Sequence, residues 1–151
     1  MHHRSQLNAN LQELRSGNRL DGKGGNGMIT IKKGDLLQAT EKVIAHQVNC
    51  HGVAGGLAAA VFDRYPDAEN DYMQMVHRAN PWSLLGMSQL TGQQKDGHII
   101  CNLFGQYQPG ADYRPDALET ALENLATTAR VMGWSVALPW RISSLYANTW
   151  Y

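Results

Sequence analysis

The amino-acid sequence predicts a single α/β domain. Short apolar runs alternate with stretches of helical period from Met28 onward, an order typical of strands and helices packed against one another. A glycine-rich turn through Gly56 separates one such run from one such stretch. At 151 residues, with 43% hydrophobic and 17% charged residues, the chain is long enough to bury one sizeable core.

The charge balance restricts the ligands that the domain is built for. Thirteen basic residues match thirteen acidic ones, so the chain lacks the broad positive field used for nucleic acid or anionic membranes. No apolar run approaches the ~20 residues that a membrane helix needs. Any anionic ligand must therefore be held by local groups.

Cysteine usage points to a reducing compartment. Cys50 and Cys101 show neither metal-ligand spacing nor a disulfide framework. The first residues lack the basic, apolar and small-residue order of a signal peptide. The expected location is the cytoplasm, with no membrane association.

Residues 1–27 differ from the rest of the chain. Four glycines between Gly22 and Gly27 are typical of a flexible linker. The segment fits either a native tail or an expression remnant, and in both cases we expect it outside the core. The predicted organisation is a tail over 1–27, a domain over 28–142 and a C-terminal tail over 143–151.

Strands are predicted where apolar residues run together or alternate. One pair, formed by the third and fourth of these strands, is joined by a turn at Lys95-Asp96-Gly97. The predicted strands are 28–32, 43–48, 87–90, 98–103 and 134–138.

Three helices follow from apolar spacing and from the positions of prolines. The stretch 57–65 repeats apolar residues at helical period and ends before Pro66, and a second helix fits 67–78. Pro115 fits a first helical position, and Gly133 fits the end of that third helix. Its predicted buried face consists of Leu118, Leu122, Leu125 and Ala129.

The segment 44–58 places a glycine-rich turn between a strand and a helix. Glycines let backbone approach a ligand, and a helix N-terminus presents unpaired N–H groups with a partial positive charge. A diphosphate could thus be bound without lysine or arginine, although the turn also fits a simple connection. Leu57-Ala58 after the last glycine excludes a P-loop, and the glycine spacing excludes a dinucleotide-binding fingerprint.

Several short motifs follow one another along the chain. They are Gly34-Asp35-Leu36, His46-Gln47-Val48-Asn49, the glycine loop into Ala58, Arg64-Tyr65-Pro66 with Tyr72, Leu84-Leu85-Gly86, Asn102-Leu103-Phe104-Gly105-Gln106 and 137–142. In this order they resemble the macrodomain family, whose members bind ADP-ribose, and the run from His46 to Tyr72 is most similar to its ADP-ribose-1''-phosphate phosphatase branch. The resemblance covers about 28–142 and implies a three-layer α/β/α fold with a mixed central sheet.

The resemblance also implies a ligand site. Asp35 would accept a hydrogen bond from the adenine amino group, or alternatively cap a helical turn beginning at Leu36. Asn49 would contact the distal ribose, or alternatively organise a turn. Phe104 would line the distal side, or alternatively belong to the core. The implied ligand-binding residues are Asp35, Leu36, Asn49, Gly52, Val53, Ala54, Gly55, Gly56, Leu57, Phe104, Gly105 and Gln106.

His46 is the candidate catalytic residue, because imidazole titrates near neutral pH and the residue lies near the end of its strand. A hydrogen-bonded structural histidine is the alternative. Cys50, His51 and Asp63 also permit a cysteine-hydrolase hypothesis, which needs a thiolate beside an imidazole and a carboxylate.

The implied function is binding of ADP-ribose with hydrolysis of ADP-ribose-1''-phosphate or a related ADP-ribosyl ester, without metal or cofactor. ADP-ribosylated macromolecules are further possible partners. The alternatives are a non-catalytic ADP-ribose-binding module and a truncated, inactive fragment. The chain departs from the family in a glycine loop about one residue shorter, and in 143–151, where a second glycine loop and a final helix are expected.

Overall fold

Four strands form one mixed sheet in the computed structural model, which describes residues 34–139 and residue 142. Within those residues the strand order is β2-β3-β1-β4, with β1 parallel to β3 and β4, and β2 antiparallel to β3. The mixed sheet is therefore confirmed. The strands are β1 (Val43–Asn49), β2 (Ser88–Leu90), β3 (Ile99–Gln106) and β4 (Val136–Ala137).

The two central strands end together at one edge of the sheet. β1 and β3 are paired from Val43↔Ile99 to Val48↔Phe104. The register then shifts, so that Asn49 pairs with Gln106. Both strands are almost wholly buried, which explains their nearly continuous apolar runs. Their polar last residues are thus brought side by side at the carboxyl edge.

Proline and glycine mark several of the helix boundaries. Three of them start with proline at the first helical position, where the missing N–H costs nothing. The longest ends at Gly133, whose φ of 71° is the left-handed conformation that glycine adopts without strain. A 3₁₀ turn, Leu36–Gln38, precedes the sheet. The helices are α1 (Gly56–Arg64), α2 (Pro66–Arg78), α3 (Pro81–Leu84) and α4 (Pro115–Met132).

Two hydrophobic clusters, one on each face of the sheet, make three layers. Alternate residues of β1 point to opposite faces. Ile44 and Val48 join the cluster that contains residues of α1 and α2, such as Phe62. Val43 and Ala45 join the cluster that contains the buried face of α4. The predicted three-layer α/β/α fold is confirmed.

Most predicted elements agree with the observed ones. The helices expected at 57–65, at 67–78 and from Pro115 lie within about a residue of the observed bounds. β4 is shorter than the predicted 134–138. The four-residue helix α3 was not predicted; its N-cap Asn80 accepts a hydrogen bond from Trp82 N (2.9 Å).

Several predictions concern residues outside the described part of the chain. These are the strand at 28–32, the tail over 1–27 and the C-terminal segment 143–151. The domain boundaries at 27 and 142 therefore stay predictions.

Gly105→Ala is expected to destabilise the fold by about 1–3 kcal/mol through overpacking. A Cβ at Gly105 would lie 2.6 Å from Gln47 Oε1 and 2.9 Å from Leu118 Cβ. The Gln47 side chain could rotate away, whereas Leu118 Cβ is fixed to α4. Urea unfolding measures the change, with Gly92→Ala as a control because a Cβ there meets nothing within 4 Å. A Gly105→Ala protein as stable as the control would show that β3 and α4 are not in close contact here.

Candidate ligand-binding site

A cavity of about 370 Å³ lies at the edge where β1 and β3 end. Open α/β sheets bind ligands outside the carboxyl ends of their parallel strands, so this is the expected place for a site. Six of the predicted ligand-binding residues contribute to its lining. The lining consists of Gln47, Val48, Asn49, Val53, Gly55, Gly56, Leu57, Ala58, Gln106, Pro109, Gly110 and Ile142.

The N-terminus of α1 forms one wall of the cavity. Its N-cap, Gly55, has no side chain to bond the first amides of the helix. Gly56 has a φ of 55°, which favours glycine, and a Cβ at either residue would meet nothing within 4 Å. Among the described residues, 34–139 and 142, none that lines the cavity has a charged side chain. An anion would therefore be held here by backbone N–H groups and the helix dipole.

The side chain of Asn49 organises the loop that leads into α1. Its Oδ1 accepts hydrogen bonds from His51 N (2.9 Å) and Tyr72 Oη (3.0 Å). Its Nδ2 donates to Val53 O (2.7 Å). These contacts match the turn-forming role considered for Asn49. Because the residue also lines the cavity, its predicted ribose contact stays a prediction.

Two other predicted loop residues support the cavity without lining it. Gly52 donates its N–H to Tyr72 Oη (3.1 Å) and has a φ of 80°. A Cβ at Gly52 would lie 3.3 Å from Met73 Sδ, so the loop packs closely on α2. Ala54 packs against the core cluster on the same side. Both residues therefore help to fix the conformation of the loop.

A second loop, 106–114, forms the opposite wall through Gln106, Pro109 and Gly110. Asp112 holds this loop together, because its Oδ2 accepts from Gln108 N (3.0 Å) and its Oδ1 accepts from Arg114 Nε (2.8 Å). The hydrogen bond with Arg114 is the main cause that lowers the pKa of Asp112.

Half of the lining was not predicted from the sequence. A proline-glycine pair soon after a strand is a turn signal that could have indicated Pro109 and Gly110. A glutamine on a buried strand could likewise have indicated Gln47. The residues that were not predicted are Gln47, Val48, Ala58, Pro109, Gly110 and Ile142.

Besides Gly52 and Ala54, four predicted ligand-binding residues lie outside the lining. Phe104 and Gly105 are buried within β3, and the Phe104 ring packs on Tyr72 with centroids 5.8 Å apart. Leu36 is wholly buried in the core cluster. Asp35 is exposed, and its Oδ1 accepts from Leu37 N (3.0 Å), which matches the capping alternative. Their ligand contacts stay predictions.

His46 lies outside the lining of the cavity. The side chain is wholly buried, its Nε2 lies 2.7 Å from Asn102 Oδ1, and the Phe62 ring packs against it edge-on. Burial lowers the pKa of His46 to about 4, although the hydrogen bond with Asn102 acts in the opposite direction. His46 is thus neutral at pH 7 and does not line the cavity, which favours the structural alternative.

The Cys50 thiol has the wrong environment for a nucleophile. Its Sγ lies 3.4 Å from Gln106 O, to which it donates. Burial raises the pKa of Cys50 to about 11, so the reactive thiolate is scarce at neutral pH. These observations weigh against the cysteine-hydrolase hypothesis.

Neither a metal site nor a membrane span is found in the described part of the chain. It contains no cluster of three or more His, Cys, Asp or Glu side chains able to bind a metal ion. None of the helices that it contains is both long enough and apolar enough to cross a membrane.

Solved structures of similar proteins identify the family. The macrodomain of Mycobacterium tuberculosis DarG is 30% identical, with a TM-score of 0.61 and 72% coverage of each chain. A macrodomain protein from Streptomyces coelicolor is 31% identical, with a TM-score of 0.60, and the match covers 69% of this chain and 72% of that one. The chain belongs to the macrodomain family. No family model matches it.

This macrodomain is also similar to a curated enzyme. The ADP-ribose 1''-phosphate phosphatase of Candida albicans is 40% identical over 83 residues, which are 51% of this chain and 52% of that protein. The macrodomain therefore spans about half the length of the curated relatives it matches. These similarities confirm the resemblance to the phosphatase branch.

Proposed function

We propose that this macrodomain binds ADP-ribose and hydrolyses ADP-ribose-1''-phosphate or a related ADP-ribosyl ester. The observation that carries the proposal is the cavity at the start of α1, where the described lining offers glycine backbone and a helix N-terminus but no charged side chain. Such a wall suits a diphosphate bound by N–H groups. The similarity to an ADP-ribose 1''-phosphate phosphatase supports the choice of ligand.

The ligand is proposed to cross the cavity between its two loops. The diphosphate lies against Gly55, Gly56 and Leu57. The distal ribose lies toward Asn49, whose carboxamide can bond a diol. Gln106 lies beside Asn49 at the end of the neighbouring strand. The adenine amino group bonds the exposed Asp35 carboxylate. Gly52, Val53 and Ala54 give the loop its shape.

Hydrolysis in this site would rest on binding and orientation. The part of the lining that the structure describes contains no carboxylate, imidazole or thiol. Backbone N–H groups at the start of α1 would stabilise negative charge that develops as water attacks the distal end of the ligand. A general acid or base role for His46 stays a prediction, and its burial weighs against direct contact with substrate.

A non-catalytic ADP-ribose-binding module is the second candidate. It is favoured because the lining residues within 34–139 and at 142 include no titratable side chain. In that case the partners would be ADP-ribosylated macromolecules. For either function we propose the cytoplasm as the location, since Cys50 and Cys101 are both buried free thiols.

The proposed ligand predicts one-to-one binding of ADP-ribose that depends on Asp35. Asp35→Ala should weaken binding by roughly tenfold to a hundredfold, because one charge-assisted hydrogen bond is lost. Asp35→Asn is the matched control, since it keeps an oxygen for Leu37 N and should lose less affinity. Calorimetry measures the binding, and phosphate release from ADP-ribose-1''-phosphate measures the turnover.

The binding and turnover measurements distinguish the two candidate functions. Binding with phosphate release supports the hydrolase, and binding without it supports the non-catalytic module. A parent protein that does not bind ADP-ribose would contradict both. Equal affinity of Asp35→Ala and the parent would remove Asp35 from the site.

A further inference from the structure

Two carboxamides meet inside the cavity at the ends of neighbouring strands. Gln47 lies near the end of β1 and Gln106 is the last residue of β3, and both line the cavity. Gln47 Nε2 donates to Gln106 Oε1 over 3.3 Å. The absence of a side chain at Gly105 leaves the space that Gln47 Oε1 occupies. The fold therefore provides the space and the hydrogen bond that hold these two carboxamides together.

The orientation of the Gln106 amide is fixed by the loop that follows it. Its Nε2 donates to Gln108 O (2.9 Å) and to Gly110 O (2.5 Å). A carboxamide nitrogen has two hydrogens, so both are used by the loop. The oxygen must then face the other way, where it accepts from Gln47.

The same hydrogen bonds fix the position of the opposite wall of the cavity. Gly110, whose φ is 82°, lines the cavity together with Pro109, and its carbonyl is tied to the strand by Gln106. The base of the loop is fixed separately, because Trp82 stacks on Tyr107, the residue after Gln106, with ring centroids 3.6 Å apart. Loss of the Gln106 amide would free Pro109 and Gly110 while the base of the loop stays anchored.

We propose that Gln106 is a positioning residue for ligand binding, which holds the Pro109–Gly110 wall and the Gln47 carboxamide in place. The proposal rests on the proposed function and assigns Gln106 a role different from a ribose contact. Both of its N–H groups serve the loop, so its effect on ligand passes through Gln47 and the wall.

Gln106→Glu tests the proposal with an isosteric change. The carboxylate lacks the two N–H donors and places an oxygen opposite two carbonyl oxygens, so the wall should detach. The dissociation constant for ADP-ribose should rise about tenfold or more, and amides 108–112 should exchange hydrogen faster. Gln108→Ala is the matched control, because the contacts seen for Gln108 use only its backbone N and O.

A double-mutant cycle separates positioning from a general loss of stability. Gln47→Ala and Gln106→Glu act through one hydrogen-bonded pair, so their combined effect on affinity should be about threefold or more below the product of the single effects. Thermal unfolding of all four proteins shows whether they remain folded. Gln106→Met, of similar length and without donors or charge, is measured beside Gln106→Glu and should weaken binding as well. Repulsion between a carboxylate and the diphosphate cannot explain the effect of this variant.

The outcomes distinguish this proposal from the proposed function. If the parent binds ADP-ribose and the folded Gln106 variants bind equally well, Gln106 has no positioning role and the function stands. Independent effects of Gln47→Ala and Gln106→Glu would also overturn the proposal. A parent that does not bind ADP-ribose would overturn both.

Discussion

Gly55→Asp is expected to make the protein more stable while nearly abolishing its binding of ADP-ribose. Gly55 is the N-cap of α1 and has an extended backbone that any residue adopts, and a Cβ added to it would meet no atom within 4 Å. An aspartate there can bond the first amides and complement the dipole, which stabilises by about 0.5 kcal/mol. The same carboxylate would occupy the diphosphate position.

Juxtaposed like charges cost several kcal/mol, so the dissociation constant should rise about a hundredfold or more. Gly55→Asn is the control: it caps the helix without charge and should lose much less affinity. Calorimetry and thermal unfolding of the three proteins measure both quantities. If Gly55→Asp binds as tightly as Gly55→Asn, the diphosphate does not lie at the start of α1.

The free energy of unfolding is expected to fall by about 3 kcal/mol as the pH drops from 6.5 to about 4, because of His46. Burial lowers the pKa of folded His46 from 6.5 to about 4. Between these values the unfolded chain binds a proton that the folded chain does not. Stability from this residue is therefore complete above pH 6.5 and is lost as the pH falls toward 4.

His46→Gln should remove most of this pH dependence, whatever it does to stability at pH 7. Urea unfolding across the pH range measures it, and the exposed His77→Gln serves as the control. Asp96 and Asp112 have pKa values lowered from 3.8, so in the folded protein they titrate below the pH range in which His46 acts. An unchanged pH profile in His46→Gln would mean that the buried imidazole is not held neutral by the fold.

Much of the fold could be predicted because local signals agreed with tertiary packing. The spacing of Leu118, Leu122 and Leu125 on α4 matches the face that the sheet buries. Pro66 and Gly133 set helix boundaries through backbone geometry alone. By contrast, α3 is too short to show a period, and its hydrogen-bonded N-cap, Asn80, is a weak signal.

The site was predicted less completely, because the wall opposite α1 is brought to the cavity by the pairing of β1 with β3. That pairing joins residues that are far apart in the sequence. The loop into α1 is local in sequence, so its glycines were informative. Gln47 joins the cavity only because β1 and β3 are paired in register and Gly105 leaves it room. His46 occupies a site-like place in the strand, but strand alternation turns its side chain into the core, where it packs on Phe62.

The central claim is that backbone N–H groups at the start of α1 hold the diphosphate of ADP-ribose. The most direct measurement is an amide-resolved NMR titration of the protein with ADP-ribose and, separately, with adenosine, which has no phosphate. We predict large, saturable shifts of the Gly55, Gly56 and Leu57 amides with ADP-ribose and small ones with adenosine. ADP-ribose binding that leaves these three amides unmoved would contradict the account.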